Sequence, residues 1–277
     1  MNKPKGLTSR DVVNIACKSL NTKKIGHTGT LDPIATGVLV LCIGNSTKLV
    51  EILTSKDKEY IATVKLGILT DTLDSDGITI ERKNVSLKKE ELIEVLNSFV
   101  GTYLQEVPKY SAVKVNGKKM YEYARKKVDI ESPKRVVRIN SIELLDFDNL
   151  SYKFKVEVSK GTYIRSLIKD INDKLGIIGV MDDLIRVRQG NFNLKNSCDI
   201  EHLKNGNFKL LTNDEVLKDY KHISVDDKVY NKIRNGQLLD NIYEEDEIVF
   251  TFNSKVIAIY KKYEKEPLKI KPYKMLI

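Results

Sequence analysis

Apolar residues recur along this chain with two different periods, and the switches between them outline its elements. In KEYIATVKLG, Tyr60, Ala62, Val64 and Leu66 share one face and Ile61, Thr63 and Lys65 the other, the alternation of a half-buried strand. RVVRINSIELLDF, YKFKVEVS and LIRVRQG read as further strands. VLVLCIG, which begins at Val38, is an unbroken apolar run and reads as one buried strand. Helical spacing marks Val12, Val13, Ile15, Ala16 and Leu20, behind a Thr8-Ser9-Arg10-Asp11 that resembles a capping box. The same spacing joins Leu92, Val95, Leu96 and Phe99. It returns in Ile164, Leu167, Ile168, Ile171 and Leu175, where Gly176 supplies a stop. Thr47 to Thr54 reads as a short helix.

Strands and helices alternate without a regular βαβ cadence, which predicts an α+β fold rather than a doubly wound sheet. Beyond residue 222 the pattern shifts to short strands, EIVFTF and VIAIYKKY, separated by turns. We therefore expect a large domain over 1–222 and a small β-rich domain over 223–277. Between the strands, TDTLDSDG (70–77) is a turn-rich acidic loop with some likeness to a calcium loop. The register that puts Gly77 sixth gives Thr72 first and Lys83 twelfth, so no bidentate carboxylate closes it.

Composition narrows the class of partner. Lys and Arg number 47 against 38 Asp and Glu, a formal charge of +9 that suits a polyanion, either nucleic acid or a membrane surface. A lysine-rich solubilising surface is the plainer account. Cys17, Cys42 and Cys198 are scattered and form no CxxC pair, and His27, His202 and His222 lack metal-ligand spacing. A disulfide framework and a zinc site are both disfavoured, which suits a reducing compartment. No apolar stretch approaches the roughly 18 residues of a membrane span, and no signal-peptide core follows MNKPKGLTS, so the expectation is a cytoplasmic protein.

Within GHTGTLDPIATG (26–37) stand one acid, Asp32, and one histidine, His27. Pro33 pushes Asp32 out of the helical region, and Gly29 and Gly37 permit a tight backbone that projects a side chain from a sheet rim. An Asx-turn role for Asp32 and a loop hydrogen bond for His27 are the structural alternatives. Tyr60 follows Lys58 and Glu59, so its strand reads as entering from a polar edge. That makes Tyr60 a rim aromatic able to stack on a base for about 1–3 kcal/mol. In GTYIRSL, Tyr163 and Arg165 fall at the first turn of a helix, where an arginine facing a cleft suits a carboxylate or phosphate.

Taken in order, NKPKGLTS, GHTGTLDPIATG, KEYIATVKLG, YSAVKVNGKKMYEYAR and SKGTYIRSL resemble the tRNA pseudouridine synthase B family over roughly residues 2 to 190. The resemblance implies a pseudouridine synthase fold, with a mixed, largely antiparallel central sheet flanked by helices. It implies isomerisation of uridine 55 in the tRNA T-loop, with no cofactor and no metal. Asp32 falls on the family's catalytic aspartate, as nucleophile at the sugar or as base at C2′. Arg165 matches the arginine that pairs with it, keeping the acid charged in a pocket. Tyr60 matches the tyrosine that stacks on the target base and takes part in removing the C5 proton. Tyr163 and Leu184 match pocket positions around the flipped uracil, and His27 the histidine that accommodates the flipped nucleotide. Lys114, Lys118, Lys119, Arg125, Lys126 and Lys127, interleaved with Tyr121 and Tyr123, are the expected RNA-gripping element, joined by Lys3 and Lys5. RNGQLL and the lysine-rich end are loosely similar to the family's PUA-like RNA-binding domain.

Two departures stand out. The family's short apolar strand before NKP has no counterpart here, so it is either trimmed or upstream of Met1. The paired arginines that often follow the family's leucine are replaced by Ile185-Arg186, which leaves one phosphate contact open. The competing readings are a non-catalytic RNA-binding protein or tRNA-folding chaperone, a guide-RNA-dependent synthase, and a small-molecule enzyme with incidental basicity. The intact Asp32, Tyr60 and Arg165 set argues against the first as a sole role, and a monomer is the default assembly.

Overall fold

A computed structural model describes residues 1–277. Its chain divides into two compact units, one formed by Met1–Val12, Gly29–Val40 and Thr54–Asp199, the other by Val13–Thr28, Leu41–Leu53 and Ile200–Ile277. Contacts rather than chain order define them, so the second unit joins two N-terminal segments to the stretch from Ile200 onward. No helix is long and apolar enough to cross a membrane.

The first unit is built on an eight-stranded sheet. Its strands are β1 (Asn2–Lys3), β2 (Thr36–Val38), β3 (Lys58–Leu66), β4 (Gly101–Glu106), β5 (Lys134–Phe147), β6 (Ser151–Val158), β7 (Gly179–Gln189) and β8 (Phe192–Asn193). They run in the order β1-β2-β7-β3-β6-β5-β4, with β8 beside β7. Only the β2–β7 pairing is parallel, so the sheet is mixed and largely antiparallel as expected. Along β3 the alternation of the sequence is the alternation of burial: Tyr60, Ala62, Val64 and Leu66 face inward. They pack with Phe154 and Val156 of β6 and Met181 and Leu184 of β7. The layer is closed by Leu92 and Leu96 of helix α1 (Lys89–Asn97), and by Leu167, Ile168 and Ile171 of α2 (Ile164–Leu175). Gly176, at φ 66°, takes the left-handed conformation that ends α2. Tyr152 Oη donates to Asn172 Oδ1 at 3.0 Å and Asn172 Nδ2 to the Gly179 carbonyl at 3.0 Å, which fixes the helix to the sheet.

The apolar run after Gly37 is two strands rather than one. Val38 ends β2, and Leu41–Ile43 pairs instead with Ile25–His27. Leu39 and Val40, between them, remain buried, so hydrophobicity alone hides the break. The helix Ser9–Ser19 carries the expected box: the Thr8 amide donates to Asp11 Oδ2 at 2.9 Å and the Asp11 amide to Thr8 Oγ1 at 3.1 Å. In the second unit a five-stranded sheet orders Lys221–Ser224, Glu247–Phe252, Lys255–Lys262, Lys269–Met275 and Leu239–Asp240 side by side. Ile248, Phe250, Ala258, Tyr260 and Ile270 form its core with Ile233.

Two lysines correct the sequence reading. Lys3, expected to grip RNA, is fully buried in β1, and its Nζ donates to the carbonyls of Pro4 (3.0 Å), Leu7 (2.6 Å) and Pro33 (3.3 Å). It is occupied in holding the chain's own backbone and is out of a phosphate's reach, whereas Lys5 is exposed. Lys58 is also buried, donating to Thr54 O at 2.8 Å and Lys56 O at 2.7 Å, so β3 does not enter from an open polar edge. Burial, aided by the nearby charge of Arg186, lowers Lys58 to about 8. Below that pH the lysine is charged both folded and unfolded, and the cost of burying the charge is fully present. As pH rises from about 8 towards 10.5 the folded chain releases its proton first, so this group adds stability with rising pH. Lys58→Met should therefore flatten the pH dependence of the urea midpoint across that window, relative to the native chain. Parallel slopes for the two proteins would show that Lys58 titrates normally.

Candidate active site

The loop between Gly29 and Val38 is held from below at several points. Leu31, Ile34 and Ala35 are buried in the floor, and the Leu31 amide donates to Ser9 Oγ at 2.9 Å. The Ala35 amide donates back to the Asp32 carbonyl at 3.0 Å, a turn with Pro33 at its second position, where a fixed φ is favourable. The Gly6 amide and Lys3 Nζ both donate to the Pro33 carbonyl. At Gly37, φ is 101° and an added Cβ would lie 2.3 Å from the Arg186 carbonyl, so the close approach of β2 to β7 admits only glycine. The Asp32 side chain leaves this clamped segment partly open to solvent, 32% exposed.

Arg165 meets it from α2. Its Nη2 donates to Asp32 Oδ1 at 3.0 Å and its Nε lies 3.0 Å from Oδ2, the two-point fork that fixes a carboxylate in orientation as well as place. The guanidinium is buried, and its remaining donors reach the carbonyls of Thr72 (Nη1, 3.0 Å) and Tyr110 (Nη2, 3.0 Å). A second carboxylate, Asp74, stands 3.9 Å from Nη1. Burial raises the Asp74 pKa, opposed by the Thr72 hydroxyl, which donates to its Oδ1 at 2.5 Å, and by the charge of Arg165. The acidic stretch 70–77, read from sequence as only a turn, thus supplies both an anchor and a second acid. Nothing in its spacing pointed there, because the contact is made 93 residues away along the chain and partly through a carbonyl.

The other expected residues divide. Leu184 is buried in the same apolar cluster as Leu31, Ile34 and Tyr60. Tyr60 is only 7% exposed, so it is a floor residue rather than the rim aromatic its strand suggested. Its hydroxyl lies 3.5 Å from Arg186 Nη1. Tyr163, just before α2, exchanges two bonds with Gln105: its amide donates to Oε1 at 2.8 Å and its carbonyl accepts from Nε2 at 3.1 Å. Arg135 covers its ring at 5.4 Å. His27 ends the Ile25–His27 strand, half-buried, and belongs to the second unit.

The basic stretch is a small hairpin followed by a helical turn. Lys114–Val115 pairs with Lys118–Lys119 through Asn116 (φ 50°) and Gly117 (φ 81°), both in the left-handed region that a tight hairpin turn requires. Met120–Arg125 is helical, and Lys119 and Arg125 cover the Tyr121 ring at 5.4 and 5.3 Å. Lys114, Lys118, Arg125, Lys126 and Lys127 are exposed, and Lys119 is half-buried. The root of this segment is Tyr110, whose carbonyl serves Arg165 and whose hydroxyl donates to Asp71 Oδ2 at 3.1 Å. A cavity of about 790 Å³ lies beside that root, lined by Leu69, Leu73, Val107, Tyr110 and Val128; Thr72 borders it and Asp32 does not.

Comparison with known proteins gives the family and the fold. Residues 18–164 match the model of the TruB family pseudouridylate synthase N-terminal domain. The tRNA pseudouridine synthase B of Bacillus cytotoxicus is 41% identical over 100% of this chain and 96% of that protein. That of Clostridium tetani is 41% identical over 97% of this chain and 96% of its own length. Among solved structures, a Cbf5-Nop10-Gar1 complex superposes with a TM-score of 0.72 at 24% identity, covering 100% of this chain and 83% of that chain. An H/ACA RNP bound to a substrate RNA containing 2′-deoxyuridine gives 0.73 at 23%, with the same coverage. Their fold is this fold, and with a family model matching more than half its length the chain belongs to the TruB family of pseudouridylate synthases.

Proposed function

We propose that this protein isomerises uridine 55 of the tRNA T-loop to pseudouridine, with Asp32 as the reacting carboxylate. The observation that carries the reading is the two-point pair of a partly exposed Asp32 with a buried Arg165. Isomerisation breaks the bond from N1 to C1′, turns the uracil over and joins C5 to C1′; the C5 proton leaves to solvent and N1 takes one up. Electrons balance within the base and sugar. The carboxylate serves this by attacking C1′ or by removing the proton at C2′, and either role requires it ionised. Arg165 holds the carboxylate at two points, fixing its orientation for either role.

A stacked, paired uridine must first be extruded, at a cost of a few kcal/mol. The clamped loop and the buried floor of Tyr60 and Leu184 offer a preformed place for the base, and Tyr163 lies at the start of the helix that carries Arg165. The names of the relatives support tRNA as the RNA concerned. The exposed cations from Lys114 to Lys127, with Lys5, supply the grip on its backbone. His27 is assigned to the flipped nucleotide by family likeness alone.

The β-rich sheet of the second unit is read as a PUA-like RNA-binding module. On its paired strands Lys255–Lys262 and Lys269–Met275, Lys261 and Lys274 each stand 4.5 Å from the Tyr273 ring centre, and Lys271 lies 4.8 Å from that of Tyr263. Lys274 is also paired with Glu51 at 2.6 Å, while Lys261 and Lys271, held on aromatic rings, are placed to offer charge to phosphates. Three unpaired cysteines suit the cytoplasm.

Tritium release from tRNA labelled at uracil C5 tests the chemistry. The native chain should release tritium and Asp32→Asn should not, with tRNA affinity changed by no more than about three-fold, since Asp32 contributes to turnover rather than grip. Release by the asparagine variant would remove Asp32 from the reaction. No release by either, with binding intact, would favour the chaperone reading. The module has its own test. Replacing Lys261 and Lys271 by alanine should lower the slope of log K against log salt for tRNA binding by about two; an unchanged slope would leave the sheet outside the RNA contact.

A further inference from the structure

We propose that Arg186 is a positioning residue for the reaction, clamping both ends of the loop that carries Asp32. The inference rests on the reading of Asp32 as the reacting carboxylate. Arg186 lies on β7, beside Gly37 of β2 and opposite Tyr60 of β3, and is 1% exposed. Its Nε donates to the Val38 carbonyl at 2.6 Å and its Nη2 to the Gly29 carbonyl at 3.0 Å. Those two carbonyls mark the last and first residues of the loop. Nη1 points to the Tyr60 hydroxyl at 3.5 Å. The one arginine that this chain keeps after Leu184 is thus turned wholly inward.

The arrangement is costly in itself. A buried guanidinium is usually compensated by a carboxylate, yet these three nitrogens face two carbonyls and a phenol. Its charge also falls on cationic neighbours, helping to depress Lys3 and Lys58. A methionine would fill a similar volume without that cost. What it would lack is a rigid planar fork that reaches carbonyls on two separate turns of chain and a side chain on a third strand. Lys3 secures the middle of the loop at Pro33, Arg165 orients the carboxylate, and Arg186 sets the span between the ends. A displacement of about 1 Å at a reacting group can lower turnover by about a hundred-fold, which is the scale on which such a clamp acts.

Arg186→Lys keeps the charge and removes the fork. In steady-state turnover of tRNA, kcat should fall by about a hundred-fold while KM and tRNA affinity stay within about three-fold, with cooperative urea unfolding retained. Native kcat in this variant overturns the inference, and so does a rise in KM alone, which would make Arg186 a binding residue. If the lysine variant does not unfold cooperatively, Gly29→Ala decides. Its methyl would stand in van der Waals contact with Arg186 Nη1, 3.4 Å away, at a φ of 151° that a Cβ strains, so it disturbs the loop end that the fork holds. Turnover should then fall about ten-fold or more, and native turnover there overturns the clamp. Asp32→Asn is run in parallel: if it turns over normally, the catalytic reading fails rather than this one.

Discussion

One buried cation organises the first unit. The guanidinium of Arg165 is shared by the Asp32 carboxylate, the Thr72 and Tyr110 carbonyls and, at longer range, Asp74. Three stretches distant in sequence therefore meet at a single side chain: the loop leading into β2, the acidic turn at 70–77, and the root of the basic hairpin. A charge buried to this degree is tolerable only when nearly every donor has a partner. Satisfying Arg165 and assembling the site are the same physical requirement. The fold meets it by setting the arginine in the first turn of α2, whose apolar face is locked against the sheet through Leu167, Ile168 and Ile171.

Around that cation the loop of Asp32 is immobilised from beneath by backbone acceptors rather than by acids. Lys3 and Arg186 spend donors on its carbonyls, and the buried Lys58 likewise bonds only carbonyls, those of Thr54 and Lys56. An acidic partner would have neutralised these cations more cheaply. Carbonyls, however, leave Asp32 as the carboxylate to which Arg165 forks, so the unit keeps positive charge gathered where an anionic RNA is to be opened. The position of Gly37, against the β7 backbone, shows how tightly the same loop is also fixed by sterics.

Much of this was legible beforehand, for reasons that differ by residue. The strand of Tyr60 and the helix of Arg165 follow from periodicity, since burial has a fixed repeat in each kind of element. Asp32 and Arg165 could be paired only through family likeness, because 133 residues separate them and no local rule spans that distance. Lys3 was misread for the opposite reason: lysine is so commonly exposed that a buried one bonded to carbonyls leaves no mark on the pattern. Asp74 and the Thr72 carbonyl were invisible as site elements. A turn-rich acidic string has the same appearance whether it faces water or a buried arginine. The split of the apolar run at Leu39 was hidden because both halves are buried, in different sheets.

The Tyr110 contact has a consequence for how the family can diversify. Its bond to Arg165 is made by a main-chain carbonyl, an atom that every amino acid supplies. The basic hairpin hanging from that root can exchange side chains, and so alter which RNA surfaces it favours, without touching the chemical identity of the anchor. Catalysis and substrate preference are then free to drift separately. Changes in backbone length or path at the root are a different matter, because they would move the acceptor itself. Insertions should accumulate towards Asn116 and Gly117 and be purged near Tyr110.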